Sequence, residues 1–254
     1  MKIITTLLFL LLHVQAAQAE TIKVAAIDWC PQICNDKDKP GYTVDLIKKI
    51  FQDSEYTLEI NIFPWTRAIK YVSEGKYDAL LAPAKKEAPH LIFPSFPVGF
   101  QQMCFFTDAN NTWEYKNEQS LQGMQIGIAI DTSIEELNTY IQKHPEQFQY
   151  QPYHERFLAQ NVNKLLKKRI DAFLFTKNTT IYELKNEDTY NKIRNAGCVS
   201  KAEIFIAFTP LAIKKAGINK IIKFFNQRMA ALVKSDDIQT IHHKYGIQHT
   251  TTKG

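Results

Sequence analysis

The sequence predicts an α/β fold made of two units, and three observations carry that prediction. A β-α-β-α-β order fills residues 21–82, a second α/β order fills residues 124–176, and a polar stretch over residues 108–120 separates them. Strands alternating with helices in this way are most economically built as parallel sheets with helices on their faces.

In the first unit, residues 21–27 are rich in β-branched side chains and read as a strand. A loop with Trp29, Pro31, Pro40 and Gly41 follows, and then Val44, Leu46, Ile47, Ile50 and Phe51 recur at helical spacing. Residues 57–63 alternate Leu58, Ile60 and Ile62 against Glu59 and Asn61, the period of a strand. Residues 66–74 form a short helix stopped by Gly75, and residues 78–82 are nearly all apolar, as in a strand covered on both faces. After a proline-rich stretch (Pro83, Pro89, Pro94, Pro97), residues 100–107 read as a long strand that includes Cys104.

In the second unit, residues 124–130 are a strand, and Asp131-Thr132-Ser133 precedes Ile134-Glu135-Glu136 as a helix start. A strand over residues 148–153 leads to a helix over residues 155–169, with Phe157, Leu158, Val162, Leu165 and Leu166 inward. Residues 171–176 are a buried strand, and residues 203–209 are read as the last strand. Helices over residues 217–234 and 236–245 close the chain, the second ending at Gly246.

Composition narrows the function. The 254 residues are 45% hydrophobic and 22% charged, which is globular, and a net charge of +5 is too small to argue for a nucleic-acid partner. Met1-Lys2, an apolar run over residues 3–14 and the small-x-small triplet Ala17-Gln18-Ala19 form a secretory signal, with cleavage expected after Ala19. The run is too short for a membrane anchor, and the mature chain from Glu20 is expected in the periplasm. Export makes the 4 cysteines candidates for pairing. Cys30 and Cys34 are close enough for a local bridge, which leaves Cys104 and Cys198 as the second pair; three pairings are open on sequence grounds.

Four landmarks, in order, resemble the extracytoplasmic solute-binding proteins of family 3, the amino-acid-binding kind with the type II periplasmic fold. They are Gly41-Tyr42-Thr43-Val44-Asp45-Leu46; Trp65 with Gly75-Lys76-Tyr77-Asp78 after it; Lys168-Arg169-Ile170-Asp171-Ala172; and Ile241-His242-His243-Lys244-Tyr245-Gly246. The resemblance covers essentially the whole mature chain. It implies two lobes closing on a two-strand hinge over a small solute. The first lobe would be residues 20–108 and 205–254, and the second residues 109–204. The hinge would lie near residues 104–107 and 205–209, and a bridge from Cys104 to Cys198 would cross between the lobes and bias it.

Ligand contacts in such folds come from the carboxyl ends of parallel strands. Trp29 follows the first strand there, and Trp65 and Arg67 follow the second, giving aromatic walls and a guanidinium fork for a carboxylate. The resemblance puts Trp65 where family members carry an aromatic. From the second unit come Asp131, Thr132 and Ser133 at a helix start, and Thr176 at the end of an inner strand. The chain departs from the family at one point. Amino-acid binders usually carry a Thr-x-x-Arg stretch after the third strand, whose arginine grips the α-carboxylate, yet residues 79–97 contain no arginine. Lys85 stands in that region as a point charge.

The expected function is therefore capture of a small polar or zwitterionic solute, amino-acid-like or another small carboxylate or amine, for ABC-type import. The alternatives are a ligand-sensing partner of a membrane receptor, or a dehydratase-like enzyme on the same fold. No nucleophile elbow or metal-spaced motif is present, and His242-His243 are adjacent and diverge on a helix. No enzyme activity, cofactor or metal is expected. The expected partners are the small-molecule solute and a membrane permease or sensor, with no nucleic acid, and the chain is expected to be a monomer.

Overall fold

Strand β1 (Glu20–Ala26) organises the first lobe. Val24 and Ala26 enter one core while Ala25 between them enters another, so both faces of the strand are covered. The computed structural model describes residues 19–130, 134, 136–153, 156–185, 189–211 and 215–247. β1 pairs in parallel with β2 (Tyr56–Ile62) and β3 (Ala79–Leu81), and β3 pairs antiparallel with β9 (Ile206–Phe208), giving the order β2-β1-β3-β9. Helix α1 (Tyr42–Phe51) buries Val44, Leu46, Ile47, Ile50 and Phe51 on one face of this sheet. The same core takes Ile218, Ile221, Phe225 and Met229 from α6 (Lys215–Leu232). Helix α2 (Trp65–Ser73) covers the other face through Ala68 and Val72.

The second sheet has the order β6-β5-β7-β4-β8. β5 (Ile126–Ala129) runs parallel to β6 (Phe148–Gln151) and β7 (Ala172–Thr176). β4 (Gly99–Asp108) is antiparallel to β7 and to β8 (Ile193–Ile204). Helices α3 (Asn138–Lys143), α4 (Phe157–Leu166) and α5 (Lys177–Leu184) flank it, and α7 (Asp237–Lys244) returns to the first lobe beside α1. The core of the second lobe holds Phe105, Ile126, Ile128, Phe157, Leu165 and Phe173.

The sequence landmarks have structural work. Asp78 and Asp171 play the same part in the two sheets. Asp78 Oδ2 accepts the Lys23 amide and Asp171 Oδ2 accepts the Gln125 amide, each at 2.8 Å, tying the start of an inner strand to its parallel neighbour. Asp45 on α1 accepts from Lys244 Nζ at 2.7 Å and from the Tyr245 hydroxyl at 2.8 Å, which ties the last helix to the first. Gly41 must be glycine: its φ is 101°, and a Cβ there would lie 2.4 Å from the Gln32 carbonyl oxygen.

Three expectations are corrected. The first hinge strand was expected near residues 104–107, but all of β4 lies in the second sheet, pairing with β8 from Gly99 to Asp108. The chain crosses earlier, where the Val98 amide donates to the Ile204 carbonyl at 2.8 Å, and returns at Phe205, whose carbonyl accepts from the Ala82 amide at 2.7 Å. The single strand expected over residues 203–209 is accordingly two, split at Phe205 as the chain changes sheets. Finally, Cys104 and Cys198 do bond, as do Cys30 and Cys34, but Cys104–Cys198 joins facing residues of adjacent strands inside the second sheet and does not cross between lobes.

Two elements were absent from the sequence reading. β8 is an edge strand with a polar outer face, and Gly197 within it has φ 121° against the Tyr115 carbonyl, so it lacks clean alternation. Helix α5, with the sequence KNTTIYEL, buries two threonines and one leucine and so has no apolar stripe. The helix start at Asp131, Thr132 and Ser133 lies outside the described residues, as do the first 18 residues of the chain.

Candidate functional site: a cavity between the lobes

The carboxyl ends of six parallel strands converge on one cavity of about 990 Å³. From the first lobe come Asp28 and Trp29 after β1, Phe63 to Thr66 after β2, and Ala82 and Glu87 after β3. From the second come Ala129 and Ile130 after β5, Pro152 and Tyr153 after β6, and Phe175 and Thr176 at the end of β7, with Tyr182 and Glu183 from α5. Gln101 and Met103 of β4 also line it. This is the crevice that a parallel sheet forms outside the ends of its strands, here doubled by two sheets. Its size falls within the range of small-molecule sites.

Hydrogen bonds cross from the first lobe to the first turn of α5. Trp29 Nε1 donates to Thr176 Oγ1 at 3.1 Å, and Gln32 Nε2 donates to Thr179 Oγ1 at 3.3 Å. The Tyr42 hydroxyl bonds to Asn178 in the same row, and burial pushes that phenol up to about 12 despite the bond. Elsewhere in the cavity wall, burial raises the pKa of the Tyr153 phenol well above the usual tyrosine range. The carboxylates of Glu183, to which it is hydrogen-bonded, and Asp28 raise it further. Asp28 belongs to the first lobe and Glu183 to the second, so the two lobes present negative charge to the same hydroxyl.

Residues 25–196 match the bacterial extracellular solute-binding proteins, family 3. The chain belongs to that family. Among solved structures it resembles a histidine kinase sensor domain similar to periplasmic binding proteins, with TM-score 0.71 and 16% identity over 90% of this chain and 96% of that one. A substrate-binding protein of an ABC uptake transporter from Streptococcus pneumoniae, with bound histidine, gives TM-score 0.70 and 15% identity over 93% and 96% of the two chains. A mutant of the arginine-binding protein ArgBP from T. maritima gives 0.67 and 16% over 89% and 95%. At these identities the likeness establishes the shared two-lobed fold. No match was found among curated protein sequences.

Within this family 3 protein, the cavity brings together Trp29, Trp65 and Thr176 of the residues singled out from sequence. Trp29 is buried and its indole N–H is committed to Thr176, so its apolar ring is what it offers the cavity. Arg67 is exposed and does not line the wall: it sits two positions past Trp65 on α2, and that turn carries it off the cavity face. Lys85 lines a smaller neighbouring cavity of about 360 Å³, with its ammonium 4.8 Å from the centre of the Phe205 ring. Asp131, Thr132 and Ser133 lie outside the described residues.

Sequence reasoning passed over Tyr153, Tyr182, Glu183, Phe175, Met103 and Glu87 as wall residues. Tyr153 had a usable signal, because it closes the strand expected over residues 148–153, although β6 stops at Gln151 and leaves Tyr153 in the segment after it. Tyr182 and Glu183 had none, since they ride on α5, which the pattern did not reveal.

Proposed function

We propose that this family 3 protein is exported to the periplasm, captures a small polar solute between its lobes and delivers it to an ABC-type permease. The single observation that carries the reading is the cavity of about 990 Å³, walled from both lobes by the segments that follow the parallel strands. A solute touching both walls binds the closed arrangement better than the open one, and that difference drives closure. The closed surface is then what a membrane partner reads. The family match and the two disulfides support export, with processing after Ala19 leaving Glu20 as the first residue of the mature chain. The bound histidine of the Streptococcus pneumoniae neighbour and the arginine-binding neighbour from T. maritima support an amino-acid or amine solute for this chain. Binding without turnover is the expected activity.

The experiment is a thermal-shift panel on mature protein beginning at Glu20, with amino acids, amines, small carboxylates and short peptides. A solute held only by the folded state stabilises it by about 2.7 kcal/mol at a hundredfold excess over Kd. A shift with one solute class, and loss of uptake of that solute in a deletion strain, is the expected result. Binding with unchanged uptake transfers the protein to a sensing role, and recovery of a chemically altered solute transfers it to catalysis.

A further inference from the structure

Among the described residues, side-chain charge in the cavity is one-sided. Asp28, Glu87 and Glu183 line it, and among the described residues the lining holds no lysine, arginine or histidine. Arg67 is exposed and does not line the cavity, and Lys85 faces Phe205 in the adjacent cavity. Helices α2 and α5 begin at the cavity and neither has a side-chain cap, so their amides favour an anion. Each helix start is equivalent to only about half a positive charge, however, against three formal carboxylates. The comparison favours a cation.

The carboxylates have neighbours already. Glu87 Oε2 accepts the Ala84 amide at 2.8 Å, Asp28 Oδ1 accepts the Asn35 amide at 3.1 Å, and Glu183 is hydrogen-bonded to Tyr153. A carboxylate offers about four acceptor positions, so hydrogen bonds of this kind do not by themselves exclude an ammonium or guanidinium. The same cavity is lined by Trp29, Trp65, Tyr153, Phe175 and Tyr182, and the face of an aromatic ring attracts cations. An α-carboxylate, in contrast, meets no guanidinium fork in the described walls, and residues 79–97 contain no arginine to supply one.

From this we infer that the cleft selects small amines or guanidines that carry net positive charge and lack a carboxylate. The inference rests on the solute-binding reading above. It also gives closure a driving force: Asp28 from one lobe and Glu183 from the other repel as the lobes approach, and a cation between them converts that repulsion into attraction.

Calorimetric titration of mature protein at low ionic strength tests this with agmatine and butane-1,4-diamine against arginine, glutamine and glutamate. Agmatine and arginine share the guanidine and differ by the carboxylate. Agmatine is expected to bind at least about tenfold more tightly than arginine, and glutamate not to bind. Asp28→Asn keeps the acceptor for Asn35 and removes the charge, and should weaken agmatine about tenfold without lowering the ligand-free Tm. Arginine, glutamine or glutamate binding more tightly than agmatine overturns the cationic class and leaves the solute-binding reading intact. Silence from all five with folded protein also overturns the class, and the thermal-shift panel then decides the solute-binding reading separately. An Asp28→Asn variant that binds agmatine as well as the parent overturns it too.

Discussion

The indole N–H of Trp29 in the first lobe donates to the hydroxyl of Thr176 in the second at 3.1 Å, and both side chains are buried. The bond fixes one wall of the cavity and couples the lobes at the start of α5. Thr176→Val keeps the shape and deletes the acceptor. Because it leaves a buried donor without a partner, it should cost about 1–3 kcal/mol, read by denaturant unfolding. The same variant should raise the radius of gyration of ligand-free protein in X-ray scattering, since a contact between lobes is gone.

Trp65 and Arg67 are two residues apart on α2, and only Trp65 lines the cavity. Trp65→Ala should therefore weaken binding of the solute found by thermal shift by about 10- to 100-fold, the loss of one aromatic wall. Arg67→Ala should leave it within about twofold, as expected of an exposed charge away from the ligand. Calorimetry on the two variants checks both.

Tyr42 makes stability depend on alkaline pH. Burial raises its folded pKa to about 12, whereas the unfolded chain releases the proton near the ordinary tyrosine value of about 10. Its stabilising share is complete below the unfolded value and falls as pH rises toward 12, by up to about 1.4 kcal/mol per pH unit. Tyr42→Phe should flatten the stability profile measured by urea unfolding between pH 9 and 11. Tyr153 and Tyr245, both raised by burial and nearby carboxylates, keep part of the slope.

The Cys104–Cys198 bridge spans 94 residues of sequence and joins β4 to β8. Replacing both cysteines by serine should cost about 2–5 kcal/mol, with the loss confined to the second lobe. Hydrogen exchange should show faster amide exchange in β4, β7 and β8, and unchanged exchange in β1 to β3.

Sequence patterning was a good guide where it reported burial on a regular period. Val44, Leu46, Ile47 and Ile50 predicted α1, and the apolar runs predicted β3 and β7, because each buries a complete face or both faces. It failed where the packing is irregular. β8 alternates poorly because it is an edge strand with shifted register against β4, and α5 packs through Thr179 and Thr180. Trp29, Trp65 and Thr176 were legible as cavity residues from their place at strand ends. Arg67 was not excluded by that rule, since its direction from the helix axis is a three-dimensional property. Glu183 and Tyr182 became visible only once α5 was seen to fold over the cavity.

The two sheets are finished at different times during synthesis. The second sheet uses only β4 to β8, so residues 99–204 hold every strand it needs and both cysteines of its bridge. The first sheet waits for β9, and its core for α6, which are synthesised after the whole of the second sheet. The inserted lobe can thus complete and lock itself while the outer lobe still exposes the apolar face of α1. A chain stalled or clipped before residue 206 would be left with one sound lobe and one open core, a natural substrate for quality-control proteases.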